Sequence, residues 1–177
     1  GPEVRGTNEP LPPVAGELSV AQWPLYIDRA RGGHRPTLEA FESENDIDVR
    51  YREVINDNQQ FFAALVPFFE QERDTGWDLI ALSDWVAGLM RQAGWIEPLD
   101  HDRIPHVSEN LLPAFRDPSY DPGNGHSIPW QGGVTGIAYD PNRTGFEIRR
   151  FADLWDERLA GHVGMLTELV DTLSLTL

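Results

Sequence analysis

Three places in the chain set aromatic rings beside oxygen-bearing side chains: Trp23 with Tyr26, Ser83-Asp84-Trp85, and Trp130-Gln131. A fourth supplies two carboxylates, Glu168 and Asp171. Aromatic faces attract cations through the ring quadrupole. An ammonium group only donates hydrogen bonds, so it also needs acceptors such as carboxylates, amide oxygens or hydroxyls. Rings and acceptors together are chemistry for holding an organic amine. Glu168 and Asp171 are spaced i,i+3 and so share a helix face. Each group also has a plain structural reading. Ser83 or Asp84 caps a helix, the tryptophans pack, and acidic residues in a first turn are favoured by the helix dipole. Both readings stand at this stage.

Other chemistries find no support. There is no G-x-G-x-x-G, no phosphate-binding loop and no G-x-S-x-G elbow. The histidines (His34, His101, His106, His126, His162) lack H-x-x-x-H spacing, and there is no cysteine, so neither a metal site nor a thiol nucleophile is expected. The expectation is a protein that is not an enzyme and carries no cofactor. The net charge of −15 disfavours nucleic acid, whose phosphates need a basic face. It suits attraction of cations, although solubility alone also explains an acidic surface.

These groups must be placed by ordered elements. Residues 1–16, rich in proline and glycine, read as a flexible leader. Leu18–Ala21 reads as a short strand, followed by a helix that starts at Pro36 and turns Leu38 and Phe41 inward. Residues 47–54 alternate as a second strand. Asn56-Asp57-Asn58 is turn and capping chemistry, and a helix over about 59–73 carries a phenylalanine stripe that Pro67 should kink or interrupt. Leu79–Leu82 is an unbroken apolar run, which predicts a strand covered on both faces. A helix to Gln92 follows, with Gly94 as its C′ residue. Residues 96–127 are loop-rich, with a short helix near Glu109–Phe115. An extended, glycine-rich segment spans 128–139, a short helix 151–155 and a strand Val163–Leu166. Thr167 then caps a last, apolar helix. That apolar end at 169–177 predicts a surface supplied by more chain or by another molecule, including self-association. Strand and helix alternate at least three times, so the fold class is α/β with a largely parallel sheet. No run approaches the length of a membrane helix and no signal peptide is present, so the chain is either cytosolic or has lost its targeting segment.

Several stretches, in this order, resemble the periplasmic polyamine-binding proteins, the spermidine/putrescine receptors of ABC importers. They are the strand followed by Trp-x-x-Tyr at 23–26, PTLEAFESENDIDVRY, INDNQQFFAAL, WDLIALSDW, NLLPAFRDPSYDPGNGHSIPWQGGVTGIAYD, FADLWDERLAGHVGML and TELVDTL. The resemblance runs over 17–177. It implies a lobe of the type II periplasmic-binding-protein kind at 17–132, a hinge crossover at 133–138 and the start of a second lobe at 139–177, the rest being absent. It also implies secretion, an extracytoplasmic location reached with a signal peptide and often a lipid anchor, and partnership with an ABC permease.

The resemblance makes Trp23 and Tyr26 walls for the cation, although Pro24 replaces the hydroxyl residue that often follows this Trp. Ser83 and Trp85 match a polar–aromatic pair, with Asp84 between them, and Trp130 and Gln131 match the segment before the hinge. Asp171 and Glu168 match an acidic pair on the second lobe, where Val170 stands in place of a basic residue. The implied function is a non-catalytic receptor that takes a polyamine between two lobes. The alternatives are the same fold holding another organic cation or an amino-acid-like solute, or a segment that binds nothing by itself.

Overall fold

The computed structural model describes residues 16–166 and 168–175, the last stretch without the side chains of Leu169 and Asp171. The expected leader, apart from its last residue Gly16, and the proposed cap Thr167 therefore lie outside the described residues. The chain divides into two compact units after Ile128.

The first unit is built on a three-stranded parallel sheet in the order β2-β1-β3, with β1 at Gly16–Gln22, β2 at Ile47–Glu53 and β3 at Leu79–Ile80. Helices α1 (Pro36–Asn45), α2 (Asn58–Glu70) and α3 (Asp84–Ala93) alternate with the strands. The predicted α/β alternation is therefore present. Pro36 opens α1 at a position where a missing N–H costs nothing. The Asp57 side chain accepts from the Gln60 amide at 2.7 Å and caps α2. Gly94, left-handed at φ 71°, closes α3 as expected.

Several expectations need correction. Leu79 is 54% exposed, because β3 pairs only with β1 and lies at the sheet edge among the described residues. An apolar run does not distinguish a central strand from an edge. Phe41 of α1 is exposed and no residue of α1 is buried. Helix α2 passes through Pro67 and ends at Glu70. Its phenylalanines are half-buried, and Phe69 and Phe62 meet Trp95 with ring centroids 5.1 and 6.0 Å apart. Beyond α3, the loop-rich stretch holds α4 at Pro105–Asn110, with a 3-10 turn at Pro113–Phe115 in place of a continuous helix.

The core of this unit is small: Ala21, Val49, Ile55, Leu65, Val86 and Met90. Polar groups share it. Asp121 accepts from the amides of His126 and Ser127 and from the Ser127 hydroxyl at 3.0, 2.8 and 2.7 Å. Asn124 ties the Asp117 amide to the Phe115 carbonyl. The 117–127 loop is thus knitted by side chains where regular structure is missing.

The second unit has no strand among its described residues. It contains α5 (Pro141–Thr144), 3-10 turns at Phe151–Trp155 and Glu157–Leu159, and α6 (Leu169–Ser174). The predicted strand at 163–166 is exposed and pairs with no strand among the described residues, so a short, largely apolar stretch there does not form a ladder. Among the described residues no helix is long and apolar enough to cross a membrane.

Candidate functional site

In a parallel sheet, ligands gather at the carboxyl ends of the strands. At the end of β1, the chain turns at once through Trp23 and Tyr26, whose rings stack with centroids 6.4 Å apart and planes 28° apart. The turn is tied to the sheet from below. Buried Gln22 accepts the Trp23 amide on its side-chain oxygen at 3.0 Å, and its backbone carbonyl accepts the amides of Val54 and Ile55.

At the end of β3, Ser83 is the residue before α3, but its hydroxyl does not cap the helix. That hydroxyl accepts from the buried Asn58 amide at 2.8 Å, while the Ser83 N–H donates to Asn58 Oδ1 at 3.0 Å. This two-point clasp joins the start of α2 to the start of α3. Asp84 is exposed and accepts the Trp85 amide at 2.7 Å. Trp85 is half-buried, and its indole N–H is buried without a partner among the described residues. An N–H cannot serve an ammonium, so any contribution of Trp85 to a cation site comes from its ring face.

The remaining candidates lie in the second unit. Trp130 is 60% exposed and Gln131 is exposed, both in backbone without regular structure. Glu168 is buried, and its carbonyl accepts the Thr172 amide at 3.1 Å, which makes it the residue that opens α6. The side chain of Asp171 lies outside the described residues. An open hollow of about 500 Å³ in this unit is lined by Phe151, Trp155, Leu159, Val163 and Met165 among others, and by none of the candidate site residues. Nearby, the Arg158 fork grips Asp156 at 2.7 and 2.8 Å and holds its carboxyl down at about 2. Among the described residues no cluster of side chains could hold a metal ion.

Residues 75–177 match the family described as bacterial extracellular solute-binding protein. The chain belongs to that family. This solute-binding chain is 30% identical over 141 residues to the spermidine/putrescine-binding periplasmic protein 1 of Haemophilus influenzae, covering 79% of the chain and 38% of the relative. It is 31% identical over 136 residues to the spermidine/putrescine-binding periplasmic protein of Escherichia coli, covering 74% of the chain and 36% of the relative. A solved structure described as a putative spermidine/putrescine ABC transporter from Listeria monocytogenes superposes with a TM-score of 0.50 at 28% identity, over 62% of this chain and 30% of that one. The chain therefore matches about a third of the length of these relatives. The expected kinship to polyamine-binding periplasmic proteins holds, and the extracytoplasmic expectation agrees with the family description and with the periplasmic relatives.

Two supporting residues of this solute-binding chain escape a reading of the sequence alone. Asn58 reads there as part of a helix cap, yet its side chain reaches Ser83, 25 positions away. Glu53 reads only as one residue of the alternating strand at 47–54. In the fold its Oε1 accepts the Leu25 amide at 3.4 Å and pairs with Arg35 Nη2 at 2.9 Å. The Arg35 hydrogen bond holds the Glu53 carboxyl below the usual carboxylate range. Neither contact leaves a local signal, because each joins segments far apart in the chain.

Proposed function

We propose that this chain contributes one wall of an amine site in an extracytoplasmic solute receptor, which takes putrescine or spermidine and delivers it to an ABC permease. The observation that carries the reading is the stacked Trp23–Tyr26 pair at the carboxyl end of the central strand. Family membership and the polyamine-binding relatives support it. In this reading the lobe comprises 17–132, the crossover 133–138, and a second lobe begins at 139. Trp23, Tyr26 and Trp85 offer ring faces to ammonium groups, as does Trp130 just before the crossover. Ser83, Asp84, Gln131, Glu168 and Asp171 provide acceptors. Closure of the lobes is a hinge motion about 133–138. No bond is made or broken. The net charge of −15 favours a cation over an anion as cargo.

The test is calorimetric titration of the full-length protein with putrescine and spermidine. Trp23→Ala and Trp85→Ala are each expected to weaken binding about tenfold, the scale of a desolvated cation–aromatic contact. Unchanged affinity for both amines in both variants overturns the assignment.

A further inference from the structure

The turn that carries the aromatic pair is strained. Leu25 sits at φ 66°, a left-handed conformation that a branched side chain adopts only when its surroundings impose it. Pro24 precedes it and brings no N–H, so the turn has few amides by which it can be held. Two of them, those of Trp23 and Leu25, meet side-chain oxygens. Gln22 takes the first and Glu53 Oε1 takes the second.

Glu53 is itself fixed. The same Oε1 meets Arg35 Nη2 at 2.9 Å, with the two side chains 19% and 18% exposed. The Arg35 guanidinium lies over the Tyr51 ring, 4.7 Å from its centroid. A carboxylate placed this way is a charged acceptor with restricted freedom, and it meets the Leu25 amide at the long distance of 3.4 Å. Three segments thus converge on one oxygen: the turn after β1, the last residue of β2, and the entry to α1.

We infer that Glu53 is a positioning residue of the amine site: clamped by Arg35, it holds the Leu25 amide and so sets the spacing of the Trp23 and Tyr26 rings. This rests on the amine-site reading above. Glu53 acts through the turn and does not itself touch the amine. Rings held in a ready arrangement spare the ligand the cost of ordering them.

The experiment compares Glu53→Ala, Glu53→Gln and Arg35→Ala in the full-length protein. Hydrogen exchange of the Trp23 and Leu25 amides is read without ligand, and spermidine affinity is read by calorimetry. Glu53→Ala and Arg35→Ala are expected to speed exchange at these two amides about tenfold while the amides of 16–21 keep their protection. The same variants are expected to weaken spermidine about three- to tenfold, within the range of neighbouring-residue couplings. Glu53→Gln keeps an oxygen for Leu25 and is expected to recover more than half of both effects. Loss of affinity with unchanged exchange overturns the proposal, since Glu53 would then meet the amine directly. Faster exchange with unchanged affinity also overturns it, as does faster exchange spread through both strands. Trp23→Ala is run alongside. If it leaves spermidine binding intact, the amine-site reading falls and the positioning role falls with it; if it abolishes binding while Glu53→Ala changes nothing, only the positioning role falls.

Discussion

The turns after β1 and β3 both leave the carboxyl ends of neighbouring parallel strands and are held in opposite ways. After β1 the supports are made to backbone amides, from Gln22 and Glu53, and the rings of Trp23 and Tyr26 rest on each other. After β3 the support is made to a side chain as well: Asn58 takes the Ser83 hydroxyl along with its amide. Trp85 there keeps a buried indole N–H unmet among the described residues. The first turn therefore frees its side chains for a ligand and relies on a strained backbone. The second has a relaxed backbone entry, and its hydroxyl already accepts from Asn58, which leaves it the O–H and one lone pair. Aromatic contact is the stronger contribution of the β1 end, and order is the stronger contribution of the β3 end.

That order depends on a loop behind α3. Arg91 of α3 donates to the Tyr120 carbonyl at 2.9 Å, and Gly88 lies so close to Tyr120 that an added Cβ would meet its Cβ at 3.3 Å. Asp121 secures this loop. Burial alone would push its carboxyl up, but hydrogen bonds from Ser127 and His126 outweigh burial and hold it below the usual 3.8. Asp121→Ala strands three donors and is expected to cost about 3 kcal/mol in denaturant unfolding. The sign for pH follows. Because the folded-state value is depressed, the carboxylate's contribution is complete above the usual 3.8 and is lost as pH falls through the lowered folded value. Asp121→Asn is therefore expected to flatten the acid limb of the stability profile, and an unchanged limb would remove Asp121 as the support of the β3 side.

A smaller effect is expected at the clasp itself. Asn58→Ala leaves the Ser83 amide and hydroxyl without their partner, at a cost of about 2 kcal/mol by urea denaturation. The comparison predicts that exchange rises at residues 83–86 and stays unchanged at the turn after β1. Equal loosening of both turns would show that they share one support.

How far these two turns were legible in the sequence differs for a physical reason. The alternation of strand and helix, the Pro36 and Asp57 helix starts and the Gly94 stop are set by residues within a few positions, and all are present. Trp23 beside Tyr26 could be read the same way, since four positions in a tight turn keep rings close. The burial of Leu79 could not be read, because it depends on whether a neighbouring strand exists, and the apolar stretch Val163–Leu166 has none among the described residues. Asn58 and Glu53 were opaque for a related reason. Their partners Ser83, Leu25 and Arg35 lie 18 to 28 positions away, and only the assembled sheet brings them together.

The smallest expected effect tests whether the β1 end is held by its ion pair or by the ring beneath it. The Tyr51 hydroxyl is buried and has no hydrogen-bond partner among the described residues, as is true of Arg35 Nη1. Burial, opposed by Arg35, raises the Tyr51 phenol above its usual value, so it stays neutral and adds no charge to the cluster. Tyr51→Phe keeps the ring under the guanidinium and deletes only a hydroxyl that gives nothing back for its burial. Thermal unfolding is therefore expected to change by less than about 0.5 kcal/mol, with any shift in the stabilising direction, because an unmet buried group is removed. Spermidine affinity in the full-length protein should not move. A loss above about 1 kcal/mol would mean that the hydroxyl has a partner the fold conceals. The turn would then be anchored through Tyr51 as much as through Glu53, which would narrow the contrast between the two strand ends.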